Sequence, residues 1–379
     1  MSSIGPKDIL GVPRLPPGVA ARAVTRWRAA LARLHRFTAP PPLRILEAVM
    51  GSLDLAALAA LCRLDIPDRL AGSVSVAHLA AAGDLDEARL TRLLRYAASR
   101  GWLRMDRRGR VRANAVTMFL RRDHPGGWRA WVEFAAGAEV TGALAELDVS
   151  MRPRGDAFEA ANGAAFFDWM AAHPERHERF DAAMEAGARM HGLILAQALD
   201  WSSSRRVCDI GGGTGALLTV LLSAHLHLEG VLLDLPTVVG RARAHPRMVA
   251  VPGDAFDAIP PGCDTYLLVN VVHDWDDDAV ITLLRQAARA LAGASAGDVD
   301  VRRVVIVEND FDAAPRDDMA TRSDLLMLAL SSGGGERTAG SLARLASEAG
   351  LQISRSLALA SGDTAHVLTP VAVLDAQAT

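Results

Sequence analysis

The sequence has few cysteines, few aromatic residues and little net charge. Its three cysteines, Cys62, Cys208 and Cys263, are an odd number without the paired spacing of a metal site, so we expect buried, reduced thiols. The formal net charge of −3 does not indicate a basic surface that would bind nucleic acid or an anionic membrane. Hydrophobic residues make up 50% of the chain, yet no run approaches about 18 uncharged apolar residues, so a membrane-spanning helix is not expected.

The length and the amino-terminal composition indicate a cytoplasmic protein with more than one domain. A single hydrophobic core stops growing at about 250–300 residues, so 379 residues allow two domains. Residues 1–42 mix Pro, Arg and Ala without the continuous apolar core of a signal peptide. We therefore treat 1–42 as an N-terminal extension and expect a cytoplasmic location.

Residues 43–125 have the pattern of short helices followed by a hairpin. Three segments show helical spacing and one shows two short strands around a turn: 43–64, 76–82 after a capping Ser75, 86–100, and 101–111. This order predicts a winged-helix-like unit. Its many arginines allow DNA binding, but acids are interleaved with them, so a structural or dimerising role is the stronger interpretation.

Residues 126–200 continue as helix, with a break near 155–163, and carry large, soft side chains. Phe166, Phe167 and Met184 are spaced so that they can line a ligand pocket. Such a stripe is more often ordinary core, because Met and Phe fill cores everywhere. We take 126–200 as a connecting region that can line the substrate site.

From 201 to 379 the predicted strands and helices alternate. The predicted strands are 207–210, 230–234, 248–252, 265–272, 304–307, 351–358 and 366–373, and the predicted helices are 215–224, 236–244, 276–292 and 342–349. This order is typical of an α/β domain with a doubly wound, mostly parallel sheet. The polar segment 293–302 is expected to be a surface loop.

A glycine-rich turn follows the first of these strands. An apolar run ends at Asp209 and the chain then turns through Gly211 and Gly213, but Ala216 departs from the full dinucleotide-binding pattern. A carboxylate at this place can reach an ammonium group, whereas it would repel a pyrophosphate. The expected ligand therefore has an amino group, a ribose and a base without a phosphate chain, which describes S-adenosylmethionine.

Further acids follow the next two strands. Asp234 can accept hydrogen bonds from both ribose hydroxyls, while Asp254 and Phe256 can bind the adenine amine and stack on its ring. Each acid alone is equally well explained as a helix cap or a turn residue. Three acids after three consecutive strands favour one ligand site.

A histidine, His273, stands at the end of another buried run. A lone histidine is usually a structural, hydrogen-bonded group. This one follows a strand at the edge where ligands bind in open sheets, with Asp274 adjacent and Glu308 ending the following strand. A neutral imidazole there can take a proton from a hydroxyl while a carboxylate holds its other nitrogen.

The ordered series of motifs resembles the O-methyltransferases related to plant caffeate and isoflavone enzymes and to their bacterial natural-product counterparts. The resemblance covers about 43–373 and rests on Asp209-Ile-Gly-Gly-Gly-Thr-Gly215, Asp234-Leu-Pro236, Gly253-Asp254, His273-Asp-Trp-Asp276, Val307-Glu308 and Gly334-Gly-Glu336-Arg-Thr338. It implies a Rossmann-like class I methyltransferase domain over 201–379. It also implies a mainly α-helical, winged-helix-like dimerisation domain over 43–125, and hence a homodimer.

The resemblance also implies roles for individual residues. The cofactor-binding residues are expected to be Asp209, Gly211, Gly213, Asp234, Leu235, Asp254, Ala255, Phe256, Asn270, Asp274 and Trp275. His273 falls on the general base, and Glu308 and Glu336 fall on the acids that orient it. The acceptor pocket is expected to contain Phe166, Phe167, Met184, Met327 and Ser331. Val269 stands where many members have a lysine, and Ala255 replaces a larger apolar residue, which weakens individual cofactor contacts.

The predicted reaction is transfer of a methyl group from S-adenosylmethionine to a hydroxyl of a small aromatic or polyketide-type molecule. His273 removes the hydroxyl proton, and no metal is required because a phenol has a pKa of about 10. One alternative is a relative that binds the same cofactor but catalyses cyclisation, decarboxylation or hydroxylation. A second is a ligand-sensing winged-helix protein that binds DNA.

Overall fold

The fold is described from a computed structural model that covers residues 6–7, 14–293, 302–309, 311, 314, 316–331 and 333–371. Most of the surface loop predicted at 293–302 lies outside these residues. The three cysteines are buried free thiols, as the sequence predicts.

The N-terminal part is helical, with a small antiparallel sheet of order β1-β3-β2. Its elements are α1 (Gly18–Thr38), α2 (Pro41–Arg63), α3 (Ile66–Arg69), β1 (Val74–Ser75), α4 (Val76–Gly83), α5 (Glu87–Ser99), β2 (Arg104–Met105), β3 (Arg110–Arg112) and α6 (Ala115–Phe119). The Ser75 hydroxyl accepts from the backbone N–H of His78, and Asp86 caps α5 in the same way. The winged-helix-like arrangement is therefore confirmed, and α1 adds a helix inside the predicted extension.

Helix α2 is the one described helix that is long and apolar enough to cross a membrane by length and composition. Its most apolar window has a mean hydropathy of 1.8 and is 22% buried. Arg44, Glu47 and Asp54 interrupt the apolar residues, so the sequence alone did not single it out. Many of its exposed side chains are large and apolar, as are those of α1.

Five further helices connect the two parts and form a separate aromatic core. They are α7 (Trp128–Ala135), α8 (Ala138–Ala145), α9 (Ala157–Asn162), α10 (Phe166–Ala172) and α11 (Pro174–Ala198). Phe134, Phe158, Phe166 and Met170 are buried together. Each fully buried side chain of this size stabilises the fold by about 1.5–3 kcal/mol.

The C-terminal part is a seven-stranded sheet of order β6-β5-β4-β7-β8-β10-β9. Its strands are β4 (Arg206–Ile210), β5 (Glu229–Asp234), β6 (Met248–Pro252), β7 (Thr265–Val269), β8 (Arg303–Glu308), β9 (Leu351–Ala358) and β10 (Thr364–Pro370). Strands β4 to β8 run parallel, and β10 is antiparallel to both β8 and β9. The predicted doubly wound sheet is confirmed.

Helices α12 (Ala216–Ala224), α13 (Pro236–Val239), α14 (Asp277–Ala292) and α16 (Ala339–Glu348) pack on the two faces of this sheet, whereas α15 (Met319–Leu330) packs on the connecting helices α8 and α9. Several sequence-based boundaries are wrong. The strand predicted over 366–373 runs from Thr364 to Pro370, with 372–373 outside the described residues, and the helix predicted over 342–349 begins at Ala339. The helix predicted over 236–244 ends at Val239, and the strand predicted over 265–272 ends at Val269 because Asn270 turns the chain with a φ of 54°. The turn of β7 into a 3₁₀ helix at Val272–Asp274 places His273 at the edge of the sheet.

Candidate active site

The carboxyl ends of the parallel strands meet at one edge of the sheet, where ligands bind in open α/β folds. Asp209 lies near the end of β4, Asp234 and Glu308 end β5 and β8, and the turn with Asp254 follows β6. Four separate stretches of sequence thereby converge on one cleft, together with the turn that carries His273.

The glycine-rich turn after β4 depends on backbone angles that glycine adopts readily. Gly211, Gly213 and Gly215 have φ values of 66°, 62° and 80°. A Cβ at Gly212 would lie 2.6 Å from Oδ2 of Asp209, so a larger residue there would collide with the carboxylate. The turn therefore keeps its backbone close to Asp209 and open to a ligand.

Asp209 is buried with an unused hydrogen-bonding atom. Its Oδ2 has no hydrogen-bond partner within the described part of the chain. Burial, and then the charge of Asp234, raise the pKa of Asp209 to about 7. An ammonium group would satisfy the orphaned oxygen and stabilise the charged form, so this atom fits the amino group of S-adenosylmethionine.

Two backbone N–H groups hold the carboxylate of Asp234, and each of its oxygens can accept a further hydrogen bond. Its Oδ2 accepts from the N–H of Gly213 at 2.7 Å, and its Oδ1 accepts from the N–H of Leu235 at 2.7 Å. Burial raises the pKa of Asp234 although these two bonds lower it. A carboxylate has about four acceptor positions, so both oxygens can still accept from ribose hydroxyls.

Aromatic side chains extend the cleft toward the expected adenine position. The ring of Phe256 meets Trp275 edge-on, with centroids 4.7 Å apart, and Trp275 stacks on Phe167 at 5.9 Å. Ala255 packs beside them on the core of the sheet domain. Asp254 is exposed and accepts from the N–H of Phe256 at 2.9 Å.

Leu235 and Asn270, both predicted to bind the cofactor, are exposed residues that directly follow β5 and β7. Their backbone positions border the same edge of the sheet as Asp234. Their roles in binding stay predictions.

His273 is fixed by Glu308. Its Nδ1 lies 2.6 Å from Oε2 of Glu308, while Oε1 of Glu308 accepts from the backbone N–H of Val272 at 2.8 Å. Because a carboxylate only accepts, Nδ1 carries the hydrogen, and the neutral ring has its free lone pair on Nε2. Nε2 is the atom that can remove a proton.

Three acids surround this imidazole. Oδ1 of Asp274 lies 3.6 Å from Nε2, and Oε1 of Glu336 lies 3.9 Å from Nδ1. Burial lowers the pKa of His273, but Glu308, Asp274 and Glu336 raise it to about 10. These carboxylates make the cation the resting form, in place of the neutral imidazole that the sequence predicts.

The acids near His273 are themselves perturbed by burial. Burial raises the pKa of Asp274 to about 6, although the charge of His273 lowers it. Burial also raises the pKa of Glu336, which accepts a hydrogen bond from the side-chain amide of Asn309. His273, Glu308 and Glu336 each offer a ligand atom within 4.8 Å of the others, a spacing that a cation can also use.

The residues predicted for the acceptor pocket have different surroundings. Phe166 is buried against Phe158 and Phe180, as core residues are, while Phe167 is 40% exposed and lies against Trp275. Met184 and Met327 pack on the same aromatic core and are partly buried. The connecting helices and α15 therefore supply an apolar surface that reaches Trp275 through Phe167.

Ser331, which is predicted to lie in the acceptor pocket, forms hydrogen bonds with the protein backbone. Its hydroxyl donates to the backbone oxygen of Asp274 at 2.9 Å and accepts from the N–H of Gly334 at 3.1 Å. The hydroxyl hydrogen is thus engaged by the protein, and Ser331 supports the turn of His273.

Several polar residues at this edge were missed by sequence reasoning. The hydroxyl of Thr214 donates to Glu185 at 2.7 Å, which joins α11 to the glycine-rich turn. Arg337 donates to the backbone on both sides of His273. Arg337 lies in the motif Gly334-Gly-Glu336-Arg-Thr338, which marks it as a residue of the site, whereas no sequence pattern links Glu185 to the glycine-rich turn.

A second buried imidazole lies behind the site. Nε2 of His191 is 2.7 Å from Asp363, and Nδ1 is 3.0 Å from the oxygen of Gly187. Both partners can only accept, so His191 carries two hydrogens and is a cation. The pair joins α11 to the β9–β10 turn, directly before Thr364, which is the register partner of Glu308.

Comparison with protein families gives two matches. The model for an O-methyltransferase domain matches residues 144–352, and the model for an O-methyltransferase dimerisation domain matches residues 46–121. The first match spans more than half of the chain and includes the glycine-rich turn, His273 and Glu336.

Individual relatives extend over most of the chain. A mitomycin biosynthesis 6-O-methyltransferase of Streptomyces lavendulae is 32% identical over 327 residues, or 83% of this chain and 90% of that protein. An aclacinomycin 10-hydroxylase of Streptomyces purpurascens is 30% identical over 302 residues, or 75% of this chain and 77% of that protein.

A solved structure of an O-methyltransferase from neocarzinostatin biosynthesis, in complex with S-adenosylmethionine and 2-hydroxy-5-methyl naphthoic acid, is also similar. It is 29% identical, with a TM-score of 0.67, and the similarity covers 84% of this chain and 96% of that one.

Proposed function

Because the chain belongs to the O-methyltransferase family and depends on S-adenosylmethionine, we propose that it methylates a phenolic hydroxyl of a small aromatic or polyketide-type natural product. The observation that carries this proposal is the imidazole of His273, with Nδ1 held by Glu308 and Nε2 directed away from it. The domain limits given above and the cytoplasmic location stay predictions.

The cofactor supplies an electrophilic methyl group on a positively charged sulfur. In the proposed arrangement, Asp209 binds its amino group and Asp234 binds its ribose, with Gly211, Gly213 and Leu235 contributing backbone contacts. The side chains of Ala255, Phe256 and Trp275 would hold the adenine, and Asp254, Asn270 and Asp274 complete the set of residues predicted to bind the cofactor. These assignments are supported by the orphaned oxygen of Asp209 and the free acceptor positions of Asp234.

The chain's own contribution to the chemistry is to position the acceptor and move one proton. Nε2 of His273 takes the proton of the acceptor hydroxyl, and Glu308 holds the imidazolium that forms. Positioning can contribute about 7–11 kcal/mol, whereas a general base contributes a factor of about 10²–10⁴. Phe167, Met184 and Met327 supply the apolar wall against which an aromatic acceptor lies, with Phe166 behind them.

The resting charge of His273 sets the pH at which this base works. With a pKa of about 10, His273 is mostly an imidazolium at neutral pH. A second cation close by would lower that pKa by repulsion, which increases the neutral fraction. Methyl transfer is therefore expected to rise with pH until His273 has lost its proton.

A hydroxylation reaction is the second candidate function, favoured by the similarity to the aclacinomycin 10-hydroxylase. Such a reaction would insert an oxygen atom, which requires molecular oxygen and a source of two electrons, and would transfer no methyl group. The two functions use the same cleft but leave products of different mass.

Incubation with methyl-deuterated S-adenosylmethionine and a panel of phenolic aromatic acids, including 2-hydroxy-5-methyl naphthoic acid, tests the proposal by mass spectrometry. We expect one labelled methyl group in the product and an equal amount of S-adenosylhomocysteine, with or without prior treatment by a chelator. A product that gains oxygen without label supports hydroxylation instead. Loss of methyl transfer after chelation would assign the His273 cluster to a metal.

We also propose that the chain forms a homodimer through α1 and α2, because the dimerisation-domain match covers most of α2. Exposed apolar side chains on these helices include Trp27, Leu31, Leu34, Phe37, Ile45 and Val49. Monomeric proteins rarely expose so many large apolar residues on neighbouring elements. A second copy of the chain would cover them.

Ile45→Asp combined with Val49→Asp is expected to convert the dimer into a monomer, because two buried charges at an apolar interface cost several kcal/mol. Sedimentation should give twice the chain mass of 40.2 kDa for the wild type and a single chain mass for the variant. Leu226→Asp is the control, because Leu226 is equally exposed but lies in the sheet domain. A wild-type monomer, or a dimer that survives the double substitution, would refute this interface.

A further inference from the structure

The backbone carbonyls of the turn that carries His273 accept hydrogen bonds from another segment of the chain. Four consecutive carbonyls, those of Val272, His273, Asp274 and Trp275, each accept a hydrogen bond from the chain at 331–337. A short 3₁₀ helix leaves carbonyls without internal partners, and loops normally satisfy them with water. Here the protein satisfies all four, which fixes the turn on both sides of the imidazole.

Arg337 makes the outer two of these bonds. Its Nη1 donates to the oxygen of Val272 at 2.8 Å, and its Nη2 donates to the oxygen of Trp275 at 2.6 Å. Its Nε donates to Asp277 at 2.9 Å, and its side chain is 11% exposed. One planar guanidinium therefore spans the turn and is itself held by an acid at the start of α14.

The two inner carbonyls are bound by neighbours of Arg337. The N–H of Gly335 donates to the oxygen of His273 at 2.8 Å, and the hydroxyl of Ser331 donates to the oxygen of Asp274 at 2.9 Å. A Cβ at Gly334 would lie 2.5 Å from the oxygen of His273, so the approach requires glycine. The two chain segments are in direct backbone contact.

We infer that Arg337 is a positioning residue for the reaction: its guanidinium clamps the carbonyls before and after His273 and so fixes the imidazole between Glu308 and the acceptor. This inference rests on the proposed role of His273 as the base. The hydrogen bonds of Arg337 go to Asp277 and to the backbone of Val272, Trp275 and Gly335, so in this inference it acts through His273. A displacement of about 1 Å at a reacting group can cost about 10²-fold in rate.

Lysine cannot replace this arginine, although it keeps the positive charge. The guanidinium is a planar fork with five donors, whereas the ammonium of lysine is a point charge that cannot reach both carbonyls and Asp277 in one plane. Arg337→Lys therefore changes the geometry of the clamp without removing the charge near His273.

The test compares wild type, Arg337→Lys and Arg344→Gln by histidine NMR and by kinetics. Arg344 binds the other oxygen of Asp277 at 2.6 Å but does not touch the turn, so it controls for loss of that ion pair. The pH titration of the His273 resonance, assigned by its absence in His273→Ala, requires neither cofactor nor acceptor. Ser331→Ala, which removes only one bond to the turn, adds a milder variant.

In Arg337→Lys we expect the contact between Nδ1 and Glu308 to loosen. The pKa of His273 then falls from about 10 toward its ordinary value of about 6.5, and Ser331→Ala gives a smaller fall. The plateau value of kcat falls about 10-fold to 10²-fold, and the pH–rate profile moves to lower pH. KM for the acceptor stays unchanged, and S-adenosylhomocysteine affinity falls by less than kcat, because Trp275 lies in the same turn.

Three results would overturn the inference. They are an unchanged His273 titration in Arg337→Lys, an equal change in Arg344→Gln, and a loss of cofactor affinity with kcat intact. If no acceptor is methylated but the titration shifts as expected, the clamp stands and the proposed reaction fails.

Discussion

Replacing His273 with alanine lowers kcat by about 10²–10⁴-fold with a phenolic acceptor, which is the usual contribution of a general base. The side chain is held by Glu308 and lies beside Asp274, and the orphaned oxygen proposed to bind the cofactor's amino group belongs to Asp209. The affinity for S-adenosylhomocysteine therefore stays within about twofold of wild type. Discontinuous assays of methyl transfer measure kcat, and titration calorimetry measures the affinity for S-adenosylhomocysteine.

His78→Ala is the control for this substitution, because His78 is exposed on α4 and far from the cleft in sequence and fold. It should leave both quantities unchanged. An alanine variant at position 273 that keeps the wild-type rate at neutral pH with an un-ionised phenol would remove His273 from the mechanism. Equal loss of cofactor affinity would instead make it a binding residue.

Replacing Asp209 with asparagine weakens binding of S-adenosylhomocysteine by about 10-fold to 150-fold. The substitution keeps the shape of the side chain but removes the charge, and hydrogen bonds to charged groups contribute about 1.5–3 kcal/mol. The rest of the cleft, including the backbone bonds to Asp234, stays in place. Titration calorimetry at about pH 8 gives the affinity directly.

The pH dependence of binding makes this prediction more specific. Burial raises the pKa of Asp209 to about 7, so below that pH the group is mostly protonated and cannot pair with an ammonium. Wild-type affinity should therefore increase about tenfold between about pH 6 and pH 8, and then level off. The asparagine variant should show no such increase.

Asp257→Asn serves as the matched control, because Asp257 is an exposed acid in the loop after β6. It should bind S-adenosylhomocysteine like the wild type at every pH. If Asp209→Asn also binds like the wild type, the amino group of the cofactor lies elsewhere.

Strand positions in the sheet domain were predictable because buried parallel strands are nearly continuous apolar runs. β4, β5, β7 and β8 are such runs, and the acids Asp209, Asp234 and Glu308 at or near their carboxyl ends stand out against them. The edge of a parallel sheet then brings these acids together, which is why the cleft could be located from sequence.

Helices whose apolar residues are not buried were harder to predict. Helix α1 exposes Trp27, Leu31 and Leu34, and its arginines and flanking prolines have the composition of an unstructured extension. Helix α15 was not predicted either, because its apolar residues go almost all round the helix and give weak periodicity.

Hydrogen bonds from side chains to backbone atoms could not be predicted from the sequence. The resemblance places Ser331 at the acceptor pocket, but it does not predict that the hydroxyl donates to the carbonyl of Asp274. Arg337 lies in a recognisable motif, but the sequence does not predict its role, because two of its partners are carbonyl oxygens that every residue type provides. The resting charge of His273 could not be predicted from the sequence either, because it depends on the distances from the imidazole to three acids.

The most direct test of the central claim is the ratio of wild-type to His273→Ala rates across one acceptor scaffold whose phenol pKa is varied by ring substituents. If His273 removes the phenol proton, the ratio is about 10² or more for phenols with a pKa near 10. It then falls toward one for phenols that are already ionised at the assay pH. A ratio that stays constant across the series would show that His273 does not act as the base.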